Sequence, residues 1–322
     1  MKVAENINQA LHAALAADDC VYLLGEDIAD PYGGAFKITK GLSTRFPGRV
    51  LSTPISEAAI TGVAAGIALS GGSAIVEMMF GDFVGLAFDQ IVNFASKSVS
   101  MYGARVSAPL IVRCPSGGRR GYGPTHSQTL MKHFIGVPGL ALYEMSPFHD
   151  ATAVFAQMLS RGEPCLFFED KVLYTRTMHD VVEPLRWHMD GSIAVVGFDD
   201  NPDCVILAPG GVAHRAIDAA RSLLLDEEIN AAVVVPSQLY PFDCGAVPEV
   251  GFVFVAEEST AGGTWGAQVA AQLHADRWPR LKRPVGLISS ADSVIPAAAH
   301  LERDVLISAS TIHRAVAEAM RG

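Results

Sequence analysis

Charge and cysteine are both scarce in this chain. Only 18% of its residues are charged, below the roughly 25% of an average soluble domain. Its five cysteines, Cys20, Cys114, Cys165, Cys204 and Cys244, lie far apart and form no CxxC pair. An odd, scattered set argues against a disulfide framework and against a zinc site, and fits reduced thiols in a cytosol. There is no basic excess: 24 Lys and Arg against 34 Asp and Glu give a net charge of −10. That balance argues against nucleic acid and anionic membranes as partners, since both need a basic patch. No apolar run is long enough to span a bilayer. The longest uncharged stretch, from Ala58 to Val76, holds four glycines and a Gly71-Gly72 break. A helix over 57–70 would measure about 21 Å, against about 30 Å of hydrocarbon. The opening MKVAENINQALHAAL has no apolar core of a signal peptide, so a cytoplasmic location is expected. The P-loop, a GxGxxG after a strand, HExxH and GxSxG are all missing.

What remains is an apolar, Ala- and Gly-rich chain of 322 residues, half of them hydrophobic, enough for two domains with real cores. Short apolar runs alternate with helical patterns. VYLLGED, SAIVEMMF, APLIVRCP, GLALYEM and PCLFFED read as buried strands, and 3–17, 57–70, DFVGLAFDQIVNFASKSV and 149–161 as helices. The alternation predicts an α/β fold with a parallel sheet covered on both faces. A second α/β unit begins near 204 with CVILAPG, VAHRAIDAARSLLLDEE and INAAVVVPS. The polar, turn-rich stretch between them reads as a linker. The expected division is a first domain over 1–180, a linker over 181–203 and a second domain over 204–322.

Few residues carry a chemical signal on their own. Glu57 stands between a strand end and the first turn of a helix rich in small residues, with Ser56 or Thr53 as candidate caps. A carboxylate in so apolar a setting is costly unless paired, although a first-turn Glu also suits the helix dipole. His126 follows the Gly-rich stretch PSGGRRGYGPTH; loop histidines of this kind are often merely solvated. Phe83 follows Asp82 at a strand end and reads equally as a core aromatic. Arg119-Arg120 fit an anion site or a solvated loop tip equally well. Asp243 and Glu257, near loop and strand ends, read as structural.

Order changes this reading. GEDIADPYGGAFKITKGL, RVLSTPISEAAITGVAAGIAL, FGDFVGLAFDQIVNFASK, PLIVRCPSGG, THSQ, VPGL, FFEDKVLY, LYPFD and AEESTAGGTWGAQVAA follow one another along the chain. In this series the chain resembles the beta subunit of the thiamine-diphosphate-dependent 2-oxoacid dehydrogenases, the E1 component of pyruvate, branched-chain and acetoin dehydrogenases. The resemblance covers nearly the whole length. It implies a transketolase-like pyrimidine-binding domain followed by a transketolase C-terminal-like domain. It also places roles on residues. The TPxxEA glutamate, Glu57, would hydrogen-bond N1′ of the thiamine aminopyrimidine. The DF phenylalanine, Phe83, would lie against that ring. The HSQ histidine, His126, would border the substrate.

The GDG motif that holds Mg²⁺ and the diphosphate elsewhere in this family is absent, and no metal ligand is assigned to this chain. The expectation is half of a cofactor site, completed by an alpha subunit that holds the diphosphate and Mg²⁺ in an α2β2 heterotetramer. A lipoyl-bearing E2 core is the expected acyl acceptor and a small 2-oxoacid the substrate. The chain also departs from the family pattern. Met79 replaces a strand-end Gln, Gly136 a His, Met131 an acidic residue and Ser237 an Arg, and Arg119-Arg120 stand where small residues are common. These departures leave open an acyloin-type C–C bond-forming synthase, and a non-catalytic scaffold partner as a third reading.

Overall fold

A computed structural model describes residues 1–321. The chain divides into two compact units, the first comprising 1–116, 134–143 and 149–177, the second 117–133, 144–148 and 178 onward.

The first unit runs α1 (Val3–Ala17), β1 (Val21–Gly25), α2 (Leu42–Arg45), β2 (Val50–Ser52), α3 (Glu57–Leu69), β3 (Ser73–Glu77), α4 (Ser96–Ser98), β4 (Leu110–Ser116), β5 (Ala141–Glu144), α5 (Ala151–Ser160) and β6 (Cys165–Asp170). Its sheet has the order β5-β6-β4-β3-β1-β2. The pairs β1·β2, β1·β3, β3·β4 and β4·β6 are parallel, as the alternation predicts. Strands β4 and β6 are buried along their whole length, because helices cover both faces. Helix α1 turns Val3, Ile7, Ala10, Leu11 and Leu15 inward and packs on α5. Asn6 fixes that contact: its amide donates to Asp150 at 3.0 Å and its oxygen accepts from the Ala151 N–H at 2.8 Å. The run 82–99, predicted as one helix, opens instead as 3₁₀ turns over Gly81–Ala87 and continues through a π-helical segment, Gln90–Ala95, into α4. Such widened turns concentrate near functional sites.

The second unit contains β7 (Arg186–Asp190), β8 (Ile193–Gly197), β9 (Cys204–Leu207), α6 (Val212–Glu227), β10 (Ala231–Pro236), β11 (Gln238–Tyr240), β12 (Val253–Thr260), α7 (Trp265–Arg277), β13 (Gly286–Ser290), α8 (Ala299–Val305) and α9 (Ala309–Arg321). Its sheet has the order β13-β12-β9-β10-β8-β7. The first four strands are parallel, and β7 and β8 add antiparallel pairing at one edge. This hairpin lies inside the stretch expected to be a linker. Strand β7 is exposed over nearly its whole length, so its sequence carries no alternation that would reveal it. Ile206, Val233 and Val235 of the sheet and Ile217, Leu223, Ile312 and Val316 of α6 and α9 share one core.

Candidate functional site

The parallel strands of the first unit all point their carboxyl ends one way, and in open α/β sheets ligands bind outside those ends. Gly25, the last residue of β1, lies level with Ser52 of β2 and Glu77 of β3. The residues just beyond these ends form the site.

Glu26 follows β1 directly, and Glu57 opens α3. Both are buried, at 6% and 7% exposure. Ser56 holds the N-cap position of α3, as predicted, but its hydroxyl makes no capping bond; its backbone N–H donates instead to the Glu26 carboxylate. Burial, and then the Glu57 charge, push the Glu26 carboxyl above its ordinary value. Glu26 Oε1 is buried with no hydrogen-bond partner among the described residues. The Glu57 side chain also receives no hydrogen bond from them. Two adjacent carboxylates, one without any donor, make this an electronegative, under-satisfied corner. The GED motif contains Glu26, yet nothing in the sequence signalled that it faces Glu57.

Phe83 is half-buried in the 3₁₀ turns that follow β3, and its N–H donates to the Phe80 carbonyl at 3.0 Å. Its ring sits 6.0 Å from that of Phe80, which in turn meets Phe36 at 5.6 Å; Phe36 also packs on Tyr174 at 5.3 Å. Beneath this aromatic chain lies a buried ion cluster. Arg113 of β4, with no exposed surface, donates to Glu169 of β6 through Nε at 2.7 Å and Nη2 at 2.8 Å, and to Glu77 of β3 through Nη1. The Tyr174 hydroxyl adds a bond to Glu169 at 2.6 Å. Burial raises the Glu77 carboxyl despite the facing guanidinium, and it raises the Tyr174 phenol well above its ordinary value. Gly34, at φ 80°, leaves room for this cluster: a Cβ there would come 2.5 Å from Glu77 Oε1.

His126 belongs to the second unit, on the loop after β4. It is half-buried, with its Nδ1 at 2.9 Å from the Thr125 hydroxyl and its N–H donating to the Gly123 carbonyl. Arg119, expected as an anion ligand or a solvated tip, points inward: its Nε faces Glu258 at 3.4 Å, and Nη2 donates to the Ile307 carbonyl. Further along, Gln128, Leu130 and Lys132 line a cavity of about 520 Å³ with Glu258, Thr260 and Asp292. The structure thus groups Glu57 and Phe83 in the first unit and sets His126 in the second. Glu257 is structural, as read from the sequence: it accepts from the Gly266 N–H at 2.8 Å, in the first turn of α7. Burial pushes the Cys165 and Cys204 thiols up to about 12, which makes them inert at neutral pH. Among the described residues no group of three or more His, Cys, Asp or Glu stands ready to hold a metal, and no helix is long and apolar enough to cross a membrane.

Residues 1–177 match the transketolase pyrimidine binding domain, and residues 194–312 the transketolase C-terminal domain. The pyruvate dehydrogenase E1 component subunit beta-2 of Oryza sativa is 33% identical over 99% of this chain and 86% of its own. The beta subunit of the acetoin:2,6-dichlorophenolindophenol oxidoreductase of Cupriavidus necator is 32% identical over 98% and 96%. The pyruvate dehydrogenase E1 beta subunit of Rickettsia bellii is 31% identical over 98% and 97%. A solved split-gene transketolase, described as an inactive beta4 tetramer, shares the fold at a TM-score of 0.75 and 21% identity, over 100% of this chain and 98% of that one. The resemblance read from the motif series is borne out by these matches, and the chain belongs to the transketolase-type family of 2-oxoacid dehydrogenase E1 beta subunits.

Proposed function

We propose that the chain is the beta subunit of a thiamine-diphosphate-dependent 2-oxoacid dehydrogenase and contributes the aminopyrimidine half of its cofactor site. The observation that carries this reading is Glu57, a carboxylate at 7% exposure in the first turn of α3 that receives no hydrogen bond from the described residues. Two carboxylates side by side, one of them with an unpartnered buried oxygen, are expensive, and a ring nitrogen of the aminopyrimidine would supply a donor to Glu57. Bound there, thiamine diphosphate supplies the nucleophilic carbon and the electron sink for decarboxylation.

Glu57 would accept a hydrogen bond from the ring nitrogen, and exclusion of water there would strengthen it. Glu26, its carboxyl raised by burial and by Glu57, keeps a second negative charge off Glu57 by taking up a proton more readily. Phe83 would lie against the pyrimidine ring. His126 would border the substrate and stabilise charge there. The diphosphate and Mg²⁺ fall to an alpha subunit, because the chain carries no GDG. A partner chain also suits the first unit near α3, where Ile55, Val63, Leu86 and Phe88 are exposed at 80%, 57%, 62% and 40%. The assembly proposed is an α2β2 heterotetramer in the cytoplasm, which decarboxylates a small 2-oxoacid and passes the acyl group to a lipoyl domain of an E2 core.

The test is Glu57→Gln in the complex with the alpha subunit. Turnover falls by about 10²- to 10⁴-fold while the complex still assembles; full thiamine-dependent turnover by the variant removes Glu57 from this role. Calorimetric titration of thiamine diphosphate with Mg²⁺ gives no binding to this chain alone and tight binding to the mixture. Tight binding to the chain alone overturns the shared site.

A further inference from the structure

We propose that Phe80 is a positioning residue for Phe83, holding its ring where the pyrimidine would meet it; this rests on the cofactor role of Phe83 given above. The turn itself brings the two rings together. The Phe83 N–H donates to the Phe80 carbonyl at 3.0 Å, an i→i+3 bond that opens the 3₁₀ turns of Gly81–Ala87. At three residues per turn, side chains three apart fall on one face, whereas an α-helix would turn them about 60° away from each other. The rings of Phe80 and Phe83 accordingly meet at 6.0 Å between centroids and 75° between planes, a preferred arrangement for aromatic pairs. Both are half-buried, so neither is fixed by burial alone.

Phe80 can hold its neighbour because it is held itself, by three segments of the first unit. The Phe36 ring, from the loop after β1, stands at 5.6 Å and 81° to it. Phe36 leans in turn on Tyr174 at 5.3 Å, and the Tyr174 hydroxyl is bonded to Glu169 at 2.6 Å. Lys171, with no exposed surface, brings its Nζ to 5.7 Å from the centre of the Phe80 ring, within reach of a cation–π attraction. That ammonium also donates to the Pro115 carbonyl at 3.4 Å, and the Lys171 N–H to the Ser116 carbonyl at 3.0 Å, so it is moored to the end of β4. The backbone is seated on the same strand end. Met78 N–H donates to the Arg113 carbonyl at 3.0 Å, and a Cβ at Gly81 would run into Ser116 Oγ and stand 3.2 Å from the Pro115 carbonyl oxygen. A continuous series of contacts thus leads from β4, β6 and the 27–41 loop through Phe80 to Phe83. What it supplies is preorganisation: a ring already in place meets its ligand without the cost of being ordered.

Phe80→Leu keeps an apolar side chain and removes the aromatic contact. In the α2β2 complex, calorimetric titration should show thiamine diphosphate with Mg²⁺ binding about 3- to 10-fold more weakly, the cost of ordering one side chain on binding. KM for the 2-oxoacid stays within about twofold, because the change acts on the cofactor ring and not on the substrate. Phe36→Leu, which removes a support behind Phe80 and leaves the Phe80–Phe83 pair in place, weakens binding in the same direction and carries the test if Phe80→Leu fails to assemble. In a Phe83→Ala background the effect of Phe80→Leu falls below about twofold, because the ring it acts through is gone. Amides of 81–87 exchange with deuterium at least about tenfold faster in the cofactor-free variant complex. Unchanged affinity overturns the proposal, and so does unchanged exchange. An effect that persists in full in the Phe83→Ala background overturns it too, since Phe80 is then a general support of the fold. If Phe83→Ala itself leaves the affinity unchanged, the cofactor role of Phe83 fails instead, and exchange over 81–87 still decides whether Phe80 holds the turn.

Discussion

Replacing Arg113 with methionine removes the cation of the buried cluster and leaves two carboxylates facing each other across three adjacent strands. The guanidinium makes three charge-assisted hydrogen bonds there, two to Glu169 and one to Glu77, each worth about 1.5–3 kcal/mol. Against their sum stands the desolvation of the guanidinium itself, which the variant no longer has to bear. Breaking a buried pair from one side costs about 3–5 kcal/mol net, and at about 2–4 °C per kcal/mol for a domain of this size the melting temperature should fall by about 10 °C at pH 8. The loss has a pH signature. Glu77 is already raised by burial, and without the facing guanidinium it rises further. A raised carboxyl stabilises the folded state below its unfolded value and loses that contribution as pH rises through the folded value. The deficit of the variant therefore shrinks as pH is lowered from 8 towards 5. Calorimetry of the purified chain at both pH values is the assay. Converting Glu77 and Glu169 to Gln alongside Arg113→Met should recover most of the loss, since no buried charge then remains. A fall under about 3 °C at pH 8, or one that is the same at pH 5, refutes the claim that charge imbalance, rather than volume, sets the cost.

Glu26→Gln should stabilise the chain at pH 7–8, because the wild-type carboxyl is raised by burial and by Glu57 and ionises at a cost. The gain fades as pH falls to the ordinary value of 4.5, as denaturation curves across that range would show. Gly34→Ala should destabilise by at least about 1 kcal/mol, because φ is 80° there and the new methyl group would meet Glu77 Oε1. Equilibrium unfolding reads this directly, and a neutral result would mean that the 27–41 loop is free to move off the cluster.

The parallel sheet and the position of Glu57 were legible because each rests on local pattern: apolar runs of strand length, and a carboxylate between a strand end and a small-residue helix. The partners of these residues were not legible. Glu26 and Glu57 meet only because β1 and β2 run side by side in register, and a register is a tertiary fact. Arg119 read equally as an anion ligand or a solvated tip because Glu302, which takes its N–H, lies 183 residues further on. The hairpin of β7 and β8 escaped notice for the opposite reason: an exposed edge strand buries too little to leave a hydrophobic period. The helix expected over 82–99 carried the right spacing, yet 3₁₀ and π turns occupy most of it. The Gly62 position of α3 lies 2.9 Å from Gln90 Oε1, measured from where a Cβ would stand, so α3 packs too closely for a regular helix to be the only solution.

The two buried carboxylate groups of the first unit separate structure from function. Both sit towards the carboxyl ends of strands of one sheet, Glu77 and Glu169 on β3 and β6, Glu26 and Glu57 just beyond β1 and β2. Glu77 and Glu169 are answered within the chain by Arg113 and Tyr174. Glu26 takes the Ser56 N–H and keeps an Oε1 with no partner among the described residues. A chain that supplies an arginine and a tyrosine for one such pair has the means to do so for the other, and nearly every buried polar group in a folded protein is satisfied. This corner is one of several places where a buried polar atom goes without a partner among the described residues, and such places are usual where a site must receive something from outside. The donor it lacks, the apolar surface exposed around α3 and the missing diphosphate motif point the same way. On the proposed function, a cofactor ring and a second chain would complete this corner.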